Sequence, residues 1–85
     1  MEVTLHRLFL KKFKKVPKPI RSKFVERKNL FLQDRFNPVL NNHSVEKAFP
    51  GCRSINVTGD YRAILKEQDG EVIFIRIGTH PELYG

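Results

Sequence analysis

The apolar positions of this chain change period once. Over the first part they recur at helical spacing: Leu5, Leu8, Phe9, Phe13 and Val16, then Ile20, Phe24 and Phe31, with Val25 and Leu32 beside them. The pattern predicts one helix over about His6–Val16 and a second over about Pro19–Asp34. Val16-Pro17-Lys18-Pro19 separates them, because residues before proline avoid the helical region and proline has no N–H for the ladder. Pro19 can open the second helix, where the missing donor costs nothing. Ahead of both, Glu2–Leu5, with β-branched Val3 and Thr4, reads as a short strand. From Cys52 onward the period falls to two, and Cys52–Val57, Asp60–Glu67 and Glu71–Ile77 read as strands joined by Thr58-Gly59 and Gln68-Asp69-Gly70. No period holds between Arg35 and Gly51, where Asn37-Pro38, Asn41-Asn42 and Pro50-Gly51 mark turns. Long connections of this kind often carry function.

These elements describe an α+β fold: an N-terminal strand, an antiparallel helical hairpin, then a three-stranded antiparallel meander, all forming one twisted sheet. At 85 residues the chain has room for one domain, spanning 1–85. If both meander loops contain an even number of residues, Arg53, Ile55, Val57, Asp60, Arg62, Ile64, Lys66, Ile73, Ile75 and Ile77 share a face. Cys52, Ser54, Asn56, Tyr61, Ala63, Leu65, Val72, Phe74 and Arg76 then share the other. A three-residue loop or a bulge would break this grouping. Both faces are apolar at their centre, so both should be covered, one by the helical hairpin and the other by the long connection or a partner chain.

Composition narrows the class. With 40% hydrophobic residues and seven Phe, the chain should fold rather than stay disordered. No apolar run approaches the roughly 20 residues that span a bilayer, so no membrane is expected. A single cysteine, Cys52, allows no internal disulfide framework and no zinc cluster, which fits a reducing, cytoplasmic setting. The net charge of +7 is uneven: residues 1–35 hold eleven basic and three acidic residues, net +8, and residues 36–85 hold five and six, net −1. Nine of the eighteen positions from 11 to 28 are basic: Lys11, Lys12, Lys14, Lys15, Lys18, Arg21, Lys23, Arg27 and Lys28. Such clustering favours a polyanion, since Lys and Arg release counterions from phosphates. A basic, amphipathic N-terminus also resembles a transit peptide, but Glu2, the lack of Ser and the lack of a small-residue cleavage pattern favour a surface helix.

Three histidines are present. His6 opens the first helix and reads as a structural or surface residue, whereas His43 lies in the long connection and His80 follows the last strand in Gly78-Thr79-His80-Pro81. Loops at the end of a sheet are where reactive groups tend to be displayed. Neither His-x-His nor Cys-x-x-Cys occurs, so no metal ligand set and no cofactor are expected. Two histidines on a basic protein suit phosphodiester cleavage by a neighbouring 2′-hydroxyl, which needs a base, an acid and cations for the phosphorane. Arg53 and Arg62 can supply the charge, and Tyr61 or Tyr84 can stack on a base. The same residues also suit exposed histidines and ion-paired arginines of a purely structural kind.

His43, the run Gly51-Cys52-Arg53-Ser54-Ile55-Asn56-Val57-Thr58-Gly59-Asp60-Tyr61-Arg62-Ala63-Ile64, and the ending Ile77-Gly78-Thr79-His80-Pro81-Glu82-Leu83-Tyr84 together resemble the RelE/ParE superfamily of type II toxins. They are most similar to its YafQ and RelE/StbE branch. The resemblance implies a ribosome-dependent, metal-independent mRNA endonuclease held inactive by a cognate antitoxin, with oligomers formed only through that antitoxin. By position it implies a site of His43, Asp60, His80 and Tyr84, with Tyr61 where the branch usually has Trp. Asn56 stands where the branch has a further catalytic histidine, and it cannot exchange a proton near neutral pH. RelE's own Lys and Arg pattern matches at Arg53 and Arg62.

The resulting expectation gives Asp60 and His43 the nucleophile side, His80 the leaving-group side, and Arg53 with Arg62 the phosphate charge, the acid and base being exchangeable. Tyr61, Asn56 and Lys66 are expected to bind substrate, and the nine basic residues from Lys11 to Lys28 to dock on ribosomal RNA. Two alternatives share the residues: a gyrase inhibitor of the ParE branch, and a non-catalytic nucleic-acid or membrane binder that uses the basic helices alone. With Gly85 directly after Tyr84, no appended domain is expected, and an antitoxin would use the existing surface.

Overall fold

A computed structural model describes residues 2–85. The expected elements form, with shifted ends and three additions. They are β1 (Glu2–Leu5), α1 (Arg7–Phe13), α2 (Lys18–Gln33), a 3₁₀ turn (Pro38–Leu40), β2 (His43–Ser44), β3 (Arg53–Asn56), β4 (Tyr61–Gln68), β5 (Glu71–Thr79) and α3 (His80–Tyr84). One sheet has the order β1-β5-β4-β3-β2, with β1 parallel to β5 and every other pair antiparallel. The 3₁₀ turn, β2 and α3 were not expected.

His6 explains the start of α1. Its Nδ1 accepts a hydrogen bond from the Leu8 N–H at 3.1 Å, taking up one of the donors a helix start leaves free. The helix ends at Phe13, short of the expected Val16, and the chain turns before Pro17. Pro17 then caps α2, and Pro19 sits in its first turn.

The helices pack on one face of the sheet through an aromatic cluster. Phe74 of β5 meets Phe24 edge to face at 5.0 Å between ring centroids, Phe9 at 6.0 Å and Phe31 at 6.5 Å. Ile55, Val57, Ala63, Leu65, Val72 and Ile77 complete this core with Leu40. Leu8, Leu10, Val25 and Leu32 stay substantially exposed, so the apolar stripe of each helix is narrower than its sequence suggests.

The face grouping predicted from even loops holds on β4 and the near half of β5 and fails elsewhere. Asp69 and Gly70, both at positive φ, make the two-residue turn between β4 and β5, so Leu65 opposes Phe74 and Lys66 opposes Ile73. The β3–β4 loop instead closes with the Val57 N–H bonded to the Tyr61 carbonyl, which leaves Thr58, Gly59 and Asp60 as a three-residue loop. Ile55 therefore opposes Ala63, and Asn56 opposes Arg62. A bulge at Ile64/Leu65 shifts the β5 register again and returns Ile77 to the core face, opposite Ala63. Ser54 and Asn56 thus share the outer face with Arg62, while Arg53 moves to the helix side.

Candidate active site

The corrected register assembles a cavity on the face away from the helices. Its volume is about 210 Å³, and it is lined by His43, Ser44, Val45, Ser54, Arg62, His80 and Tyr84. Four separate segments contribute, so each must be held in place.

His43 is positioned by the long connection. Asn37 caps the 3₁₀ turn by accepting the Val39 N–H at 3.0 Å, and Asn41 follows in the left-handed region at φ 46°. Asn tolerates that conformation better than most residues. Asn42 is then clamped: its Oδ1 accepts from Arg53 Nε at 2.6 Å and its Nδ2 donates to the Arg35 carbonyl at 2.9 Å. His43 pairs with Ser54 across β2–β3. Its Nδ1 lies 2.7 Å from the Asn41 carbonyl oxygen. A carbonyl only accepts, so Nδ1 carries the proton and the neutral ring keeps its lone pair on Nε2.

His80 and Tyr84 stand one turn apart on α3, their rings 4.7 Å apart, and Phe49 packs edge-on to Tyr84 at 6.0 Å. Thr79 and Glu82 form a capping box: Glu82 Oε1 accepts the Thr79 N–H at 2.8 Å, and Thr79 Oγ1 accepts the Glu82 N–H at 3.4 Å. Glu82 also accepts from Lys12 Nζ of α1 at 2.5 Å. Gly78 lets α3 lie close to β5, since a Cβ there would come within 3.2 Å of Glu82 Oε1 and 3.3 Å of its Cβ.

The Lys12 bond, then the Thr79 N–H, hold the Glu82 carboxyl down at about 2, below the usual 4.5. A depressed carboxyl stabilises the fold above its unfolded pKa and loses that contribution as pH falls through the folded one. The anchoring of α3 is therefore complete above about pH 5 and weakens between about 4.5 and 2. Because the Glu82 side chain is 44% exposed, the effect on global stability is below about 1 kcal/mol. An NMR titration should show His80 and Tyr84 resonances moving in that window while Phe74 stays put. In Glu82→Gln the acid-dependent movement should disappear.

Arg62 Nη1 donates to the carbonyls of Thr58 and Gly59, both at 2.9 Å, and of Tyr61 at 3.2 Å. The guanidinium is thus pinned over the β3–β4 loop by one nitrogen, and its Nε and Nη2 have no hydrogen-bond partner among the described residues. Beside the cavity, burial pushes the Cys52 thiol up, which keeps it protonated and a poor nucleophile. Among the described residues no group of three His, Cys, Asp or Glu side chains is placed to hold a metal ion, and no helix is long and apolar enough to cross a membrane.

The profile of the family described as the ParE toxin of type II toxin-antitoxin systems matches residues 3–84. The chain belongs to this family. It is a type II toxin of the RelE/ParE superfamily. Among solved structures, YafQ from E. coli strain BL21(DE3) superposes with a TM-score of 0.84 at 24% identity, over 99% of this chain and 98% of that one. The E. coli DinJ-YafQ toxin-antitoxin complex gives 0.81 at 24% over 99% and 97%. The RelB-RelE antitoxin-toxin complex from Methanococcus jannaschii gives 0.75 at 21% over 95% and 94%. No curated protein matches the sequence. At these identities the structural likeness establishes the fold, and the site must be read from this toxin's own residues.

Those residues divide. His43, His80, Arg62 and Tyr84 line one cavity. Asn56 lies on the same face, opposite Arg62, and its Oδ1 is buried without a partner among the described residues. Asp60 is exposed in the three-residue loop and is not part of the lining, and Lys66 lies further along β4, away from the cavity. Two expectations are corrected. Tyr61 packs against the core on the helix side, so it is not placed to stack on a base in this cavity. Arg53 also points to the helix side, with its guanidinium 5.7 Å from the Phe36 ring; through Asn42 it positions the strand that carries His43.

The basic set is also heterogeneous. Lys11, Lys14, Lys15 and Lys18 are exposed, but Lys12 is tied to Glu82, Lys23 pairs with Glu26 at 3.4 Å, and Arg27 Nε donates to the Val57 carbonyl at 3.4 Å. Arg21 and Lys28 are half-buried. Sequence reasoning missed Ser54, Phe49 and the Lys12–Glu82 tie. The Thr79-x-x-Glu82 spacing was a readable capping signal, hidden because no apolar run follows it.

Proposed function

We propose that this toxin is a ribosome-dependent mRNA endonuclease that uses the substrate's own 2′-hydroxyl as nucleophile and is restrained by a cognate antitoxin. The observation that carries the reading is the convergence of two histidines and a half-satisfied arginine on one cavity, with the His43 tautomer set by the Asn41 carbonyl. In this reading His43 Nε2 takes the proton of the 2′-hydroxyl as its oxygen attacks phosphorus. His80 protonates the departing 5′-oxygen, Arg62 carries the charge of the phosphorane through Nε and Nη2, and Tyr84 stacks on a flanking base. Asp60, in the loop that holds the Arg62 guanidinium, and Asn56, opposite Arg62, complete the proposed surroundings of the substrate. An antitoxin partner is supported by the toxin-antitoxin complexes of the similar YafQ and RelE folds. The setting is the cytoplasm, where translating ribosomes are found.

The exposed face of Lys11, Lys14, Lys15 and Lys18 is proposed to meet ribosomal RNA. Charge reversal at Lys11, Lys14 and Lys15 should weaken ribosome binding and flatten its salt dependence by about 0.7–0.9 log units per lost phosphate contact. The melting temperature should not move. Lys12→Glu should behave differently, lowering turnover as well, since it also frees α3.

A second reading is favoured by the family match itself, which is to ParE toxins: inhibition of DNA gyrase without RNA cutting. Supercoiling assays and primer extension on mRNA, run on one protein preparation, separate the two. The endonuclease reading expects new mRNA ends and unimpaired supercoiling; inhibited supercoiling with intact mRNA would replace it.

A further inference from the structure

Buried hydroxyls in folded proteins normally have partners, and an orphan costs stability that an alanine would not. Ser54 is such an orphan: the residue is 1% exposed and its Oγ has no hydrogen-bond partner among the described residues. Nothing in the sheet requires a hydroxyl there, because the backbone of Ser54 pairs with His43 on one side and Ile64 on the other. Yet Ser54 lines the cavity between His43 and Arg62. The next residue on the same face, Asn56, carries the second orphan, Oδ1. Two unpartnered polar atoms on one face of β3, the second opposite an arginine whose guanidinium has donors to spare, mark a surface completed by a polar ligand. The hydroxyl has one torsion, χ1, and no hydrogen bond holding it among the described residues, and the proposed contact needs it to turn about χ1 toward the cavity its residue lines.

We propose that Ser54 is a substrate contact whose hydroxyl donates a hydrogen bond to a non-bridging oxygen of the phosphodiester held among His43, Arg62 and His80. The inference deepens the endonuclease reading and rests on it. Arg62 supplies charge from the loop side, while Ser54 supplies a directed neutral donor from the cavity floor. Two donors from different strands fix the phosphorus relative to His43 Nε2 more closely than one.

Ser54→Ala and Ser54→Cys test this against wild type. Both should melt no lower than wild type, because the alanine removes an orphan and the thiol nearly keeps the volume. On translating ribosomes Ser54→Ala should cut mRNA about tenfold to a hundredfold more slowly, the range for a hydrogen bond to a charged group, with Ser54→Cys between. A single-stereoisomer phosphorothioate at the scissile position should slow wild type and leave Ser54→Ala little further affected. Wild-type rates in Ser54→Ala, or a slowing matched by a lower melting temperature, would overturn the contact. A separate arm uses an uncleavable 2′-deoxy oligonucleotide, which should raise the melting temperature of wild type and not of Ser54→Ala. If wild type fails to cut mRNA while this stabilisation still depends on Ser54, the endonuclease reading falls and the phosphate contact stands. If the stabilisation is independent of Ser54, the contact falls whatever the cleavage result.

Discussion

His43→Ala should slow mRNA cleavage by about 10²- to 10⁴-fold, the usual contribution of a positioned general base. The loss has a specific cause. With Nδ1 committed to the Asn41 carbonyl at 2.7 Å, Nε2 is the ring's only proton acceptor, and the other imidazole of the lining, His80, is assigned to the leaving group. His43 is exposed, so the variant should fold and melt as wild type does. His43→Gln is the informative companion. Its amide can still donate to the Asn41 carbonyl and hold the strand, but it cannot take a proton, so it should be as slow as alanine. Rates from single-turnover cleavage on stalled ribosomal complexes would check both. A glutamine variant near wild-type speed would mean that His43 positions the strand and does no proton transfer.

Phe74→Ala should leave little folded protein. Phe74 is fully buried, touches three other phenylalanines, opposes Leu65 on β4 and Leu5 on β1, and its carbonyl accepts the His6 N–H at 2.9 Å where the chain leaves β1 for α1. Truncating a buried phenylalanine costs about 3–5 kcal/mol. A domain of this length holds roughly 4–13 kcal/mol in total, so one substitution consumes a large part of it. Phe36→Ala is the control, because Phe36 is 61% exposed and contributes mainly cation–π contacts with Arg35 and Arg53. It should cost less than about 1 kcal/mol. Urea denaturation of both variants distinguishes them by midpoint; similar midpoints would contradict this placement of the core.

Both predictions depend on register, and register is where sequence reading was strong and weak in turn. The period of two on β4 and the Asp69-Gly70 turn were enough to put Ala63, Leu65, Val72 and Phe74 on one face. The prolines located the break between the helices. Loop parity was not readable: Thr58-Gly59-Asp60 can close as two or three residues, and the choice moved every side chain of β3 to the other face. That single step exchanged Arg53 for Ser54 and Asn56 at the site. The bulge beside Leu65 depends on packing between strands and leaves no local signature. β2 and α3, of two and five residues, are too short for any periodic pattern, yet they deliver His43 and His80. The histidines were visible as residues; their meeting point became visible only in three dimensions.

The charge asymmetry also takes a different form. The basic excess of the first 35 residues lies on the helices, across the sheet from the cavity, and includes cations already engaged. Lys12 links the two regions, since it anchors the helix that carries His80 and Tyr84. On the proposed function, docking and cleavage should be separable at Lys11, Lys14 and Lys15 and coupled at Lys12.

The central claim is tested most directly by mapping the ends produced on mRNA when the protein is added to translating ribosomes. Attack by the neighbouring 2′-hydroxyl leaves a 2′,3′-cyclic phosphate on one fragment and a free 5′-hydroxyl on the other. The account predicts those ends on translated message, absent without ribosomes and formed about 10²- to 10⁴-fold more slowly with His43→Gln. Intact mRNA, or fragments bearing 5′-phosphates, would contradict it.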